Sequence, residues 1–119
     1  MPYISEINRE YLDINIDDLA IKIIELTKSS RIVKSSSSHI EHGKYSLNND
    51  EVCSVLGDIN YSISRLCSQI MGDPSYSKIA MITGVLENVK QEYYRRIAVP
   101  YEENKKAQNG DIREYKKVF

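Results

Sequence analysis

The chain has 119 residues, with 41% hydrophobic residues and 16 Lys/Arg against 17 Asp/Glu for a net charge of -1. That length points to one domain, the hydrophobic fraction excludes a disordered chain, and the near-zero charge argues against bulk binding to DNA, RNA or an anionic membrane. No apolar run approaches the ~20 residues needed to cross a bilayer, and the opening MPYISEINREY lacks a basic-then-apolar secretion signal, so a cytoplasmic location is expected.

Ser5 is placed to cap a short helix over residues 5–11, which the stretch Asp13 to Asn15 is expected to break. Asp17 and Asp18 then open a helix over about 16–28. Acids in a first turn suit the helix dipole, and Leu19, Ile23 and Leu26 fall at i, i+4 and i+7. Residues 29–47 are the least regular part of the chain. Ser35 to Ser38 and Gly43 mark a flexible segment, and RIVK and KYSL are short enough to make a small β-hairpin around residues 31–47. His39 and His42 sit near Glu41 there, without the third and fourth ligands that a metal site needs.

Asn48 or Asn49 caps a long helix whose Val52, Val55, Leu56, Ile59, Ile63, Leu66, Cys67 and Ile70 form an unbroken helical stripe. Gly57 costs that helix about 1 kcal/mol relative to alanine, which a close approach of another helix would justify. Cys53 and Cys67 lie too far apart along the helix to bond to each other, and read as core thiols in a reducing compartment. Gly72, Asp73 and Pro74 end it. Ser75 or Ser77 starts the next helix, with a stripe of Ile79, Ile82, Leu86, Val89, Tyr93 and Ile97. Pro100 kinks or stops this helix, and Tyr101 to Gln108 forms a last short one, closed by Asn109-Gly110. The tail DIREYKKVF is basic, and is expected to be loose unless a partner subunit holds it. Two long helices joined by a short link should lie antiparallel. The expected fold is therefore all-α, an antiparallel helical hairpin with flanking shorter helices in a single domain over 1–119.

A chain this small hides only about two-thirds of the surface it exposes when unfolded, so assembly as a homo-oligomer is expected. Charge is uneven along it. Residues 1–58 carry 6 Lys/Arg against 10 Asp/Glu, and residues 59–119 carry 10 against 7. A ligand-sized basic site in the second half fits that asymmetry better than a polyanion-binding face.

The residues off the apolar stripes carry the chemistry. Asp58, Tyr61 and Arg65 share one face of the first long helix, and Asn60 and Ser64 another. On the second, Glu87, Lys90 and Tyr94 form one line, and Asn88, Glu92, Arg95 and Arg96 another. Glu87 with Lys90, and Glu92 with Arg96, read as ordinary surface ion pairs. The remaining inventory suits a phosphorylated small molecule. Arg65, Arg95 and Arg96 would grip phosphates through paired hydrogen bonds, with Lys90 and Lys105 as supporting charges. Tyr61, Tyr93, Tyr94 and Tyr101 would stack on a flat ring, and Asn60 and Asn109 would read its polar edge. Tyr and Arg are also the favoured residues of protein interfaces. No catalytic triad, HExxH or Gly-rich phosphate loop is present, and neither a cofactor nor a metal is expected. Asp58, Glu87 and Glu92 resemble the carboxylates of all-α nucleotide pyrophosphohydrolases but lack their ExxE spacing.

The strings GDINYSISRL (57–66), GVLENVKQEYYRR (84–96), PYEENK (100–105) and NGD (109–111) resemble a family of short phage and prophage proteins of unknown function. That family's pattern is G-x-L-N-Y-x-I-x-R, G-V-L-E-x-x-K-x-E-F-Y-R-R, P-Y-E-D-x-K and N-G-D. The chain departs from it at Ile59 for Leu, Tyr93 for Phe and Glu103 for Asp, and the serine-rich segment has no counterpart. By analogy with small phage proteins that act as sponges for nucleotide messengers of bacterial immunity, the resemblance implies binding of a cyclic ADP-ribose isomer or a cyclic dinucleotide without turnover, in a host bacterial cytoplasm. A metal-dependent nucleotide hydrolase and a structural adaptor that uses the Tyr-Arg surface are the alternatives.

Overall fold

A computed structural model describes residues 3–27 and 46–116. Every regular element among them is helical, and the fold is all-α. The β-hairpin expected around residues 31–47, His39, His42 and residues 117–119 lie outside the described residues. Among the described residues, no helix is long and apolar enough to cross a membrane. The chain divides into two compact units, one from Tyr3 to Asp73 and one from Pro74 onward.

In the first unit, α1 runs unbroken from Glu6 to Glu25. Its N-cap is Ser5, whose Oγ accepts from the Asn8 amide at 3.4 Å. The expected break at Asp13 to Asn15 is absent. Asp, Ile and Asn each cost a helix at most about 0.7 kcal/mol, less than a continued backbone hydrogen-bond ladder returns, and no Gly or Pro stands among them.

The stripe that begins at Val52 does not form one helix. It splits into α2, Asn49–Ser54, and α3, Leu56–Met71, at Val55 with φ -110° and ψ 5°. The start is a full capping box. Asn48 Oδ1 accepts from the Glu51 amide at 2.8 Å, and Glu51 Oε1 accepts from the Asn48 amide at 3.1 Å. Ser54 Oγ donates to the Glu51 carbonyl at 2.7 Å, a local bond that competes with helix propagation. The break turns Val55 inward, where it is 2% exposed. Cys53, expected in the core, is exposed, and Cys67 is half-buried; both are free thiols. A Cβ at Gly57 would meet no atom within 4 Å. Gly72 ends α3 at φ 63°, a conformation that side chains disfavour, and its amide donates to the Ser68 carbonyl at 3.1 Å.

In the second unit, Ser75 caps α4, Tyr76–Tyr93, by accepting from the Lys78 amide at 3.2 Å. Pro100 does not stop the helical path. A π-helical turn over Tyr94–Ala98 leads directly into α5, Val99–Asn109, with the proline in its first turn. Proline has no amide to donate, and its ring clashes with the carbonyl four residues back. The wider turn takes up that conflict, and the Val99 amide bonds to the Tyr94 carbonyl, five residues back. Gly110 ends α5 at φ 83°. Part of the tail expected to be loose forms a single helical turn, α6, Arg113–Lys116.

Ile21, Val55 and Glu51 are the buried side chains among the described residues. The α3 stripe expected to form the core stays open, from Ile59 at 38% exposure to Ile70 at 70%.

Candidate functional site

In the first unit, the predicted residues meet along one helix. On α3, Arg65 Nη1 donates to the Tyr61 hydroxyl at 3.4 Å, and the guanidinium carbon lies 6.0 Å from the centre of that ring. Ser64 Oγ donates to Asn60 Oδ1 at 3.1 Å. These are i,i+4 neighbours, as the 3.6-residue period requires. The bonds hold Arg65 and Asn60 oriented while their side chains stay exposed to solvent.

The second unit is organised by the π turn. In a continuous α-helix, residues eight apart sit about 80° out of line; a turn that absorbs one residue reduces this to about 20°. Tyr94 and Glu102 thereby come onto one line, and the Tyr94 hydroxyl donates to Glu102 Oε1 at 3.0 Å. The bond to Glu102, then that carboxylate's charge, hold the Tyr94 phenol above its ordinary value, with a smaller push from desolvation. The same re-phasing aligns Tyr101 with Tyr93. Lys105, one turn beyond, lies with Nζ 5.6 Å from the centre of the Tyr101 ring.

The cations are not bare. Glu92 takes both of its carboxylate oxygens to Arg95 Nη2 at 2.7 Å, where the sequence pairs Glu92 with Arg96. An i,i+3 contact places Lys90 Nζ 3.7 Å from Glu87, as expected, and another places Lys106 Nζ 3.1 Å from Glu103. The Arg95 side chain remains 64% exposed, so an incoming anion reaches it. Exposed pairs of this kind contribute at most about 1 kcal/mol, which leaves the guanidinium available for exchange with a phosphate.

Grooves within this unit gather some of these residues. One, about 360 Å³, runs along α4 into the π turn and is lined by Val85, Val89, Tyr93 and Ile97 with Glu92 and Arg96 among them. Another, about 520 Å³, wraps the end of α5 and is lined by Lys105, Lys106, Asn109, Asp111 and Tyr115 with Glu102 at its edge. Of the predicted site residues, Tyr93 and Arg96 thus share the first groove, and Lys105 and Asn109 the second. Lys90, Tyr94, Arg95 and Tyr101 line neither, and Asn60, Tyr61 and Arg65 belong to the other unit.

Sequence reasoning missed two partners, Glu102 for Tyr94 and Glu92 for Arg95. Pro100 was the available signal for the first, because a proline inside a continuing helix forces a local change of period. Among the described residues, no group of three or more His, Cys, Asp or Glu side chains gathers as a metal site.

No curated protein and no solved structure matches the chain. The model of the family described as a domain of unknown function (DUF6899) matches residues 1–112, a span that takes in α1 to α5, the π turn and every site residue expected from the sequence. The chain therefore belongs to that family.

Proposed function

We propose that the protein binds and withholds a small phosphorylated nucleotide, a cyclic ADP-ribose isomer or a cyclic dinucleotide, without turning it over. The observation that carries this reading is the π turn. It begins directly after Tyr93, carries Tyr94, Arg95 and Arg96 in its first three positions, and rotates Tyr101 and Lys105 into line with Tyr93. Guanidinium groups that bind phosphate oxygens in pairs, beside phenol rings that stack on a base, are the two recognition elements a nucleotide needs. Within the first unit, Arg65 with Tyr61 forms another such pair on α3 with the Asn60 amide beside it; within the second, Asn109 supplies an amide for the base edge. The ligand's chemistry and the resemblance to phage proteins together support a role against a bacterial immune signal, in a host cytoplasm.

The exposed apolar faces support assembly as a homo-oligomer. Half-exposed Ile63, Leu66 and Ile70 on α3, and Val85, Val89 and Ile97 along α4 and the π turn, are costly to leave in water at about 25 cal/mol per Å². The groove lined by Val85, Val89 and Tyr93 also favours a second reading, an adaptor whose Tyr-Arg surface docks on another protein.

A thermal-shift panel of cyclic ADP-ribose isomers and cyclic dinucleotides, with the ligand recovered afterwards, separates the readings. Sequestration predicts a raised melting temperature and intact ligand. A hydrolase predicts fragments in the presence of magnesium or manganese, and an adaptor predicts no shift with any nucleotide. Under sequestration, the R95A/R96A double variant loses about 10- to 100-fold in affinity, as expected when charged hydrogen bonds are removed, and keeps its fold by circular dichroism.

A further inference from the structure

The Tyr94–Glu102 bond spans the π turn and encloses Arg95, Arg96 and Pro100 between its two ends. Neither residue lines the apolar groove, and Glu102 has no part in the ligand set deduced from sequence. The π turn itself is held at one end by the Val99 amide on the Tyr94 carbonyl. Its competitors are an opened turn, in which that amide is released to water, and an α-turn, in which it bonds one residue nearer. The swap to an α-turn would rotate the helix on one side of the turn by about 100° relative to the other. It would also carry Glu102 out of reach of Tyr94, so the side-chain bond exists in only one of the two registers. A bond made in one state and not the other shifts the population toward that state.

We propose that Glu102 is a positioning residue, which acts through the Tyr94 hydroxyl to hold the π turn and with it the direction in which Arg95 and Arg96 are presented. The proposal rests on the reading that these arginines take an anionic ligand. Glu102 lines the groove at the end of α5 with Lys105 and Asn109, and in this proposal its effect on Arg95 and Arg96 runs through the turn.

Amide hydrogen exchange and nucleotide affinity test it on the full chain, in E102A, E102Q, Y94F and the E102A/Y94F pair, with E103A as control. Glu103 carries the neighbouring carboxylate and pairs with Lys106 instead. Exchange at Val99 should quicken about threefold to tenfold in E102A and in Y94F, the range that one exposed hydrogen bond supports. The pair should be no worse than either single variant, since both remove one bond. E102Q, whose amide oxygen still accepts from a phenol, and E103A should exchange as the native chain does. For any cyclic nucleotide that shifts the native melting temperature, affinity should fall by a similar factor in E102A and recover in E102Q.

Native exchange at Val99 in both E102A and Y94F would overturn the proposal, whatever the nucleotides do. So would native affinity in E102A beside lost affinity in R95A/R96A, an outcome that leaves the binding reading standing. If no nucleotide binds, the binding reading falls and the exchange measurement decides the positioning of the turn alone.

Discussion

Two pairs built around tyrosine, one on α3 and one across the π turn, differ in how the chain brings them together. Arg65 reaches Tyr61 one turn back along an undisturbed helix, at 3.4 Å. Tyr94 reaches Glu102 eight positions ahead, at 3.0 Å, because the backbone between them has absorbed a residue. The first contact belongs to any α-helix with those residues at i,i+4. The second belongs to this conformation alone, so it reports on the conformation. A regular helix displays side chains, whereas an irregular one selects which of them meet.

The largest expected effect falls where the two regions agree. Each ends on a glycine with positive φ, Gly72 after α3 at 63° and Gly110 after α5 at 83°. A Cβ at either position meets no neighbour, so backbone strain is the whole cost. G72A and G110A should each lose about 1–3 kcal/mol in urea unfolding. Equal stability to the native chain would mean that the ends relax freely, and the regions would then be less alike than their caps indicate.

The next effect separates the regions. In E102Q the Tyr94 bond survives but the carboxylate charge is gone, so the raised phenol value of Tyr94 should fall toward the ordinary value of about 10. Absorbance of tyrosinate at alkaline pH reads the change. The sign follows from the direction of the shift. A phenol held above its unfolded value adds stability that is fully present below the unfolded value and is lost as pH rises through the folded one. A Tyr94 titration unchanged in E102Q would deny that the two groups communicate.

The smallest effect belongs to α3. The Tyr61 hydroxyl meets Arg65 at the long edge of hydrogen-bond distance on an exposed face, so Y61F should change stability by under about 0.5 kcal/mol. A larger loss in thermal unfolding would show that the bond does more than orient the guanidinium.

Much of the fold was legible because helix ends are chemical signals. Ser5, Asn48 and Ser75 announce three starts through their side-chain oxygens, and Gly72 and Gly110 announce two stops. The break at Val55 was not legible, since a valine within a perfect apolar stripe gives no warning. At the candidate site, the pairings of Arg65 with Tyr61 and Lys90 with Glu87 followed from counting by three and four. Glu92's choice of Arg95 over a simple i,i+4 line, and Glu102's contact with Tyr94, depended on rotamers and on a change of period that no fixed spacing encodes. The openness of the α3 stripe escaped as well, because periodicity tells which face is apolar and is silent on what covers it.

The turn at Tyr94–Ala98 also has a consequence for how the segment would tolerate substitution. Upstream of it, sensitive and permissive positions should alternate with the ordinary helical rhythm. Downstream, the same rhythm should resume one position late, so that Tyr101 and Lys105 answer as residues 100 and 104 would in an uninterrupted rod. A systematic map of variants would carry that offset as a phase jump, and would locate the irregularity without coordinates.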